Sequence, residues 1–516
     1  MEGFDLDVLS SMGRPWFSAR ATRPEVVTEG TPQCLIGHRL NSPAGVPPDG
    51  IFVEWNWDGN RLRVSNDRYG IYPLFYACHG GEIRISPSIQ HVLKGNFPKT
   101  LNYPALAVFL RLGFFLADDT PFEHVHVLPP ASTLIWRNGT IQLERGPIGS
   151  NAPAETAGTF DEAVDQYAET FQRAIARRPP RGDGFTVPIS GGRDSRHILL
   201  ELVAQGYKPD LTATVKLRPP GDEEDMRIAR ILAEALELEH VEIDMPRAFF
   251  QANLKDIELT HFCSSGHVWL LPLAAYLKGR TDTLYDGLAG DVLSAGHRAT
   301  KQKKALYRDG SRKELAGLLL REAKVEGFLD TTLRPEFAKR ASMGVAVERL
   351  TTELGRHQEQ PNPLVSYIFW NTTRRGISLI PFSFLGHVPR VYCPYLDHEV
   401  FDFLMNLDMS FTLGNALHDE TIRRAYPQYA DLPFEEKNGK PLKGAEYSAY
   451  YRRAVFDFAR YMARRPRSLR SHLIKSDRIV LRMLRDMLRR RNDGAWYLRP
   501  ALHLLELERA SEAGAA

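Results

Sequence analysis

The sequence predicts an α/β protein in which a β-rich N-terminal part precedes a parallel-sheet part with many helices. Three observations predict it. Short aromatic and β-branched runs are punctuated by Gly/Asn turns between residues 50 and 145, strands alternate with helices after residue 160, and a Ser/Gly loop joins one such strand to its helix.

Taken in order, residues 51–55, 61–64, 74–77 and 132–136 read as strands, with Asp58-Gly59-Asn60, Gly80-Gly81 and Asn138-Gly139 as turns. Tyr103–Leu112 reads as a short helix. Residues 146–158 are small, polar and rich in Pro and Gly, the composition of a linker. A long amphipathic helix over 160–178 then leads into strand 185–189, helix 194–205, strand 211–215, helix 223–236 and strand 240–243. From Arg247 onward the pattern is mainly helical.

Composition narrows the classes. A chain of 516 residues suits about two to four domains. With 43% hydrophobic and 25% charged residues it is an ordinary globular sequence, neither disordered nor fibrous. No apolar stretch approaches the ~20 residues that span a bilayer, and residues 1–7 lack the basic-then-apolar pattern of a secretory signal. Cys34, Cys78, Cys263 and Cys393 lie far apart with no CxxC pair, which argues against a disulfide scaffold or zinc ribbon and fits a cytoplasmic protein. His261, His267, His297 and His387 show no metal-ligand spacing. A net charge of +3 is too mild to imply a nucleic-acid partner.

The loop Ser190-Gly191-Gly192-Arg193-Asp194-Ser195 carries the chemistry. Two glycines let the backbone turn sharply and bring its N–H groups near a ligand. The helix that follows offers free amides and a positive dipole end, and Ser190 and Ser195 add hydroxyls. Such a cradle suits phosphate. It is not the GxxxxGK[ST] loop, and Asp194 suits a magnesium ion better than direct contact with phosphate. A bare Ser-Gly-Gly could be any turn of an α/β protein, whereas the Asp-Ser extension between strand and helix selects the cradle.

With these residues the chain resembles the asparagine synthetase family, whose ATP-pyrophosphatase loop has the form SGGxDS. Asp222-Glu223, Ala229, Ala233 and His240-Val241 resemble the strand–helix unit that lies near the adenine, which places Val215 at the nucleotide. Asp286-Gly287-Leu288-Ala289-Gly290-Asp291 resembles the family's second glycine-rich loop, and residues 390–397 its segment ending in Pro-Phe-Leu-Asp. Glu436-Lys437-Asn438-Gly439 falls where the family keeps a phosphate-steadying lysine. Upstream, residues 66–76 (NDRYGIYPLFY) are similar to RDRFGIKPLYY of the amidotransferase domain, and residues 122–130 to its closing Pro-Gly segment.

The resemblance implies an Ntn-type four-layer α/β/β/α amidotransferase-like domain (1–148), a linker (149–158), an ATP-pyrophosphatase-type synthetase domain (159–445) and a basic helical extension (446–516). It implies ATP and Mg2+, with Ser190, Gly191, Gly192, Asp194, Ser195, Val215, Gly287, Gly290 and Lys437 at the ATP and pyrophosphate, Asp194 and Asp291 as metal ligands, and Lys437, Asp194 and Asp291 as the catalytic set. Implied partners are a small-molecule or peptide carboxylate, ammonia or an amine, and a second copy of the chain in a homodimer.

Three departures shape the expected activity. Residue 2 is Glu2, where glutamine-using members carry the cysteine nucleophile, and a carboxylate cannot replace a thiolate there. Processing that exposed Cys34 would need a cleavage for which the sequence carries no signal. Leu288 stands where asparagine synthetases place a glutamate and the β-lactam-forming branch a tyrosine, and it cannot accept a proton. Arg390 replaces an acidic residue. The expectation is therefore an AMP-forming ligase that makes an amide, by amidation or macrolactam closure, without glutaminase activity, in the manner of the β-lactam synthetases and lasso-peptide cyclases it resembles. The rivals are a glutamine-dependent asparagine synthetase and a non-catalytic ATP-binding scaffold.

The segment 452–491 is dense in arginine, and residues 479–488 place Ile479, Val480, Leu481, Met483, Leu484, Met487 and Leu488 beside it at roughly helical spacing. Such a helix either rests on an anionic membrane or acidic partner, or packs on the body with its arginines in water.

Overall fold

The computed structural model describes residues 6–22, 25–41, 48–95, 97–149, 158–216, 223–246, 248–296, 300–435, 445–488 and 495–512. Among the described residues ten strands build the N-terminal part: β1 (Phe17–Thr22), β2 (Glu25–Gly30), β3 (Gln33–Arg39), β4 (Gly50–Trp57), β5 (Leu62–Asn66), β6 (Phe75–His79), β7 (Glu82–Ser86), β8 (His126–Val127), β9 (Thr133–Arg137) and β10 (Thr140–Glu144). They form two antiparallel sheets, ordered β2-β1-β7-β6-β8 and β10-β9-β5-β4-β3. Alternation along the strands gives each sheet an apolar face; Phe17 of the first sheet meets Trp57 of the second at 6.0 Å, and Trp57 in turn lies 6.0 Å from Trp136 of its own sheet. Helix Ile89–Leu93 packs on β6 and β7. On the other side Leu35, Arg39, Arg63, Arg137 and Gln142 stand exposed, so the layers among the described residues are α/β/β with the outer face of the second sheet open.

A third sheet, all parallel, has the order β13-β12-β11-β14-β15, with β11 (Phe185–Pro188), β12 (Leu211–Val215), β13 (His240–Ile243), β14 (Thr283–Tyr285) and β15 (Arg390–Tyr392). The helices Phe160–Ala176, Tyr103–Leu112, Asp194–Ala204 and Glu223–Ala235 fall where the apolar spacing puts them. Thr159 and Glu162 begin the first with a reciprocal capping box. After Arg247 the chain is mainly helical as expected, and the two short strands β14 and β15 interrupt it. Each has three residues, too few for a period, and each becomes a strand because a parallel neighbour is there to pair with it. Strands β1 to β3 also lay outside the sequence reading. The outer strand β2 is almost wholly exposed and has no apolar alternation to betray it.

Buried arginines join the two halves. Arg178 reaches Asp49 at 2.8 Å and Asp397 at 2.5 Å. Arg374 donates to the carbonyls of Gly70 (3.2 Å), Ala117 (3.0 Å) and Leu128 (2.9 Å). Arg68 pairs with Asp402. Asp67 accepts from the amides of Phe52, Tyr69 and Gly70, and burial pushes its carboxyl up to about 6. The strongest N-terminal motif thus serves the joint between the halves. Asp397 likewise caps helix His398–Asn406 and holds Arg177 and Arg178, a structural role.

The expected linker falls largely on residues 150–157, outside the described residues. In the C-terminal extension, helix Ser476–Leu488 buries Ile479 and Met483 and turns Arg478, Arg482 and Arg485 to water, as the packed reading requires. Leu481, Leu484 and Leu488 are exposed as well. No described helix is long and apolar enough to cross a membrane.

Candidate nucleotide and ligase site

Strand β11 ends at Pro188 and helix Asp194–Ala204 begins six residues later, so the Ser/Gly loop sits at the C-terminal edge of a central parallel strand, where α/β sheets bind ligands. The hydroxyls brace the loop from inside. Gly192 N–H donates to Ser190 Oγ at 3.1 Å and Ser190 N–H to Ser195 Oγ at 3.2 Å. Arg193, at the N-cap of the helix, supplies no side-chain cap, which leaves the first-turn amides to an anion. The Arg193 side chain instead forms a two-pronged pair with Asp419 and lies 4.5 Å over the Phe434 ring.

The Gly191 amide is engaged from outside the loop. Gly191 N–H donates to the carboxylate of Asp225 at 2.6 Å, and Gly191 O accepts from Glu435 N–H at 2.9 Å. A side chain at Gly191 would meet Glu435 Cβ at 2.9 Å and Asp225 Oδ1 at 3.2 Å, so only glycine fits between those two segments. No pattern in the sequence marks Asp225 as the partner of Gly191, 34 residues away.

Asp194 and the second loop interlock. An added Cβ would come within 2.9 Å of Asp194 Cβ at Gly287 and within 2.4 Å of Asp194 Cγ at Gly290, so these two glycines form the hollow that receives the aspartate. Between them Ala289 takes φ 77°, a left-handed conformation costing about 1–2 kcal/mol. Asp291 N–H donates to Asp194 Oδ2 at 2.9 Å. The Asp291 backbone therefore lies against the Asp194 carboxylate. Burial and then the Asp291 charge raise the Asp194 carboxyl well above its ordinary value. Asp286, pushed up to about 6 by burial, accepts from Leu288 N–H at 2.8 Å. Leu288 itself is buried and packs the loop.

Among the described residues no group of three or more His, Cys, Asp and Glu side chains is arranged as a metal cage. The hard carboxylates of Asp194 and Asp291 nevertheless suit magnesium, which binds through one or two carboxylates and takes its other ligands from substrate phosphates and water. The donor set fits the ion.

Behind Asp194 lies a buried polar cluster that no sequence motif marks. His418 Nδ1 is 2.9 Å from Ser294 Oγ and 3.6 Å from Asp194 Oδ1, and its Nε2 is 3.2 Å from His197 Nδ1. Tyr395 donates to the Asp194 carbonyl at 3.2 Å. Phe171 stacks on His197 at 3.8 Å, and burial lowers His418 to about 3.

Val215 ends β12, buried, at the same sheet edge. Lys437, Glu436, Asp222 and His297 lie outside the described residues. His261 and His387 are tucked into packing, with ring proton affinities lowered by burial. His267 is taken by Ser264 at 2.7 Å.

A parallel sheet with a Ser/Gly cradle and an acidic second loop, preceded by two antiparallel sheets, defines a carbon–nitrogen ligase with an appended amidotransferase-like part. Residues 48–145 match the glutamine amidotransferase domain, and residues 166–378 match asparagine synthase. The chain belongs to the asparagine synthetase family, with an N-terminal glutamine amidotransferase-like domain. The synthase domain makes it an ATP-dependent, amide-forming ligase of a family that is generally magnesium-dependent and joins a carboxylate to an amine or ammonia. No curated protein matches the chain.

Proposed function

We propose that the chain activates a carboxylate as its acyl-adenylate and passes the acyl group to an amine or ammonia by amidation or macrolactam closure, without a glutaminase step. The observation that carries this reading is the clasp of Asp194 in the Gly287–Gly290 hollow with Asp291 N–H on its carboxylate, beside the Ser/Gly cradle.

A carboxylate is inert to amines because oxide would have to leave. Attack of its oxygen on the α-phosphorus forms the P–O bond of the adenylate, and the bond to the β-phosphate breaks as pyrophosphate leaves. The amine nitrogen then attacks the acyl carbon, loses a proton, and AMP departs. Catalysis in the first step is neutralisation of phosphate charge. The amides at the start of helix Asp194–Ala204 would hold phosphate oxygens, and Asp194 and Asp291 would hold magnesium, which supplies charge compensation when bound. Lys437 is assigned to the phosphates as well. Its support is Glu435, two residues earlier, which already donates to the cradle at Gly191 O.

The absence of a glutaminase step is supported by the thiols. Burial raises Cys34 and Cys78, pushes Cys263 up to about 11 and lifts Cys393 well above its ordinary value, so none of the four is a ready thiolate. Cys34 also lies within β3, paired with Trp55. Leu288, buried and apolar, favours a substrate whose amine needs no base at that position, unlike asparagine synthesis or β-lactam closure.

Pyrophosphate–ATP exchange with magnesium, run over a panel of carboxylates that includes aspartate and peptides, tests the reading. At least one acid should support exchange, and Asp194→Ala should abolish it. Undiminished exchange in that variant refutes the metal assignment. Glutamine hydrolysis by the purified chain refutes the glutamine-independent part.

A further inference from the structure

Helix Asp194–Ala204 is fastened to the segment Leu432–Glu435 beside the cradle. Arg196, the third residue of that helix, is 1% exposed. Its Nη1–H donates to Leu432 O at 3.0 Å and its Nη2–H to Pro433 O at 2.5 Å. Its Cζ lies 4.0 Å over the Phe434 ring, and that of Arg193 lies 4.5 Å over the same ring. Nε has no partner, and no carboxylate pairs with the Arg196 guanidinium among the described residues. The contacts that replace water around this cation are thus made to one short segment. The next residue completes the link, Glu435 N–H donating to Gly191 O at 2.9 Å.

We propose that Arg196 is a positioning residue for phosphate binding: by holding Leu432 O and Pro433 O it sets Glu435 against Gly191 and keeps the Ser190–Gly192 turn in its anion-receiving shape. The Gly191 carbonyl and the Gly192 N–H belong to one planar peptide, so fixing the oxygen fixes the N–H as well. That peptide is flanked by glycine on both sides, and glycine offers little resistance to its rotation. The turn therefore needs an outside hold, which Glu435 N–H supplies at Gly191 O and Asp225 at Gly191 N–H. Arginine suits the task. Two N–H groups on one rigid plane reach two successive carbonyls while the cation lies on an aromatic ring, a combination the point charge of lysine does not reproduce. The inference rests on the reading of the Ser/Gly loop as a phosphate cradle.

The test is calorimetric titration with magnesium ATP and with magnesium pyrophosphate, alongside the melting temperature, on Arg196→Lys, Arg196→Met, Phe434→Leu and the double variant Arg196→Met/Phe434→Leu. Residues that share one network couple strongly enough for a loss of roughly tenfold. Arg196→Met should weaken both ligands by that factor, equally for each, because pyrophosphate has no base and binds through the cradle alone. Arg196→Lys should be as weak as Arg196→Met, since charge without the fork does not hold the segment. Phe434→Leu should lose affinity in the same direction, and the double variant should be no weaker than Arg196→Met. Parental affinity in Arg196→Met or Arg196→Lys, or a double variant in which the two losses add, overturns the proposal. A role in the fold alone would lower the melting temperature and leave both affinities in place. Should Arg196→Met not fold, Arg196→Lys and Phe434→Leu decide, and pyrophosphate binding at the parental level in either one overturns the proposal. A parent that binds neither ligand refutes the cradle reading itself, whereas a parent that binds both beside unchanged variants refutes only the role of Arg196.

Discussion

Gly290→Ala should disable the ligase while leaving the fold in place. The added methyl would stand 2.4 Å from Asp194 Cγ and 2.7 Å from each carboxylate oxygen, so it cannot coexist with the observed rotamer. Two relaxations are open. Forcing the methyl into the packed loop costs about 1–3 kcal/mol. Swinging Asp194 away instead breaks its hydrogen bond from Asp291 N–H, a bond to a charged acceptor worth about 1.5–3 kcal/mol. The stability loss is thus similar by either route. The catalytic loss is larger, because a displaced carboxylate no longer places charge where the transition state needs it, and such misplacement costs on the order of 100-fold or more in rate. Pyrophosphate–ATP exchange and thermal melting are the two assays. Gly327→Ala is the control. Gly327 lies within helix Glu326–Thr332 with nothing within 4 Å of its added methyl, so that variant should be about 0.5–1 kcal/mol more stable and fully active. A Gly290→Ala protein that exchanges at the parental rate would refute the claim that the hollow exists to hold Asp194.

Asp225→Ala frees the Gly191 amide and removes a negative charge from the cradle, so ATP should bind roughly 5–30-fold tighter in a calorimetric titration, equivalent to about 1–2 kcal/mol; weaker binding would show instead that the carboxylate is needed to shape the loop. Asp256 is raised from 3.8 to about 7 by burial, with one oxygen on Gly266 N–H at 3.0 Å and the other without a hydrogen-bond partner among the described residues. Because the folded state keeps this proton while the unfolded chain loses it, stability should fall as pH rises between about 4 and 7, by up to roughly 4 kcal/mol. Asp256→Asn should therefore melt no higher than the parent near pH 4 and clearly higher at pH 8, and parallel pH profiles for the two proteins would contradict the assignment.

Legibility varied with the kind of signal. Helix Tyr103–Leu112 and strands β12 and β13 have the bounds their sequence pattern predicts, because each carries a full period of apolar residues. The cradle and the second loop were legible too, since glycine, serine and aspartate at fixed spacing are what close approach to phosphate requires. Strands β14 and β15 were not legible, being three residues each and held by neighbours more than 90 residues away in the chain. Asp225 and His418 escaped notice for a related reason. Nothing local marks an acid or a histidine as the partner of a loop far off in sequence.

Local chemistry in the chain was enough to give the α/β class and to point to the Ser/Gly loop and the two aspartates whose motifs resemble the family's, since turns, helix starts and apolar periods depend on neighbours a few residues apart. Tertiary structure alone decided that Asp194 nests between Gly287 and Gly290, that Asp225 occupies the Gly191 amide, that His418 stands behind the carboxylate, and that the Asn66–Tyr76 motif serves the joint between the two halves. Those are contacts between surfaces that meet only when the chain has closed on itself, where exclusion of water and hard-sphere packing select the partners.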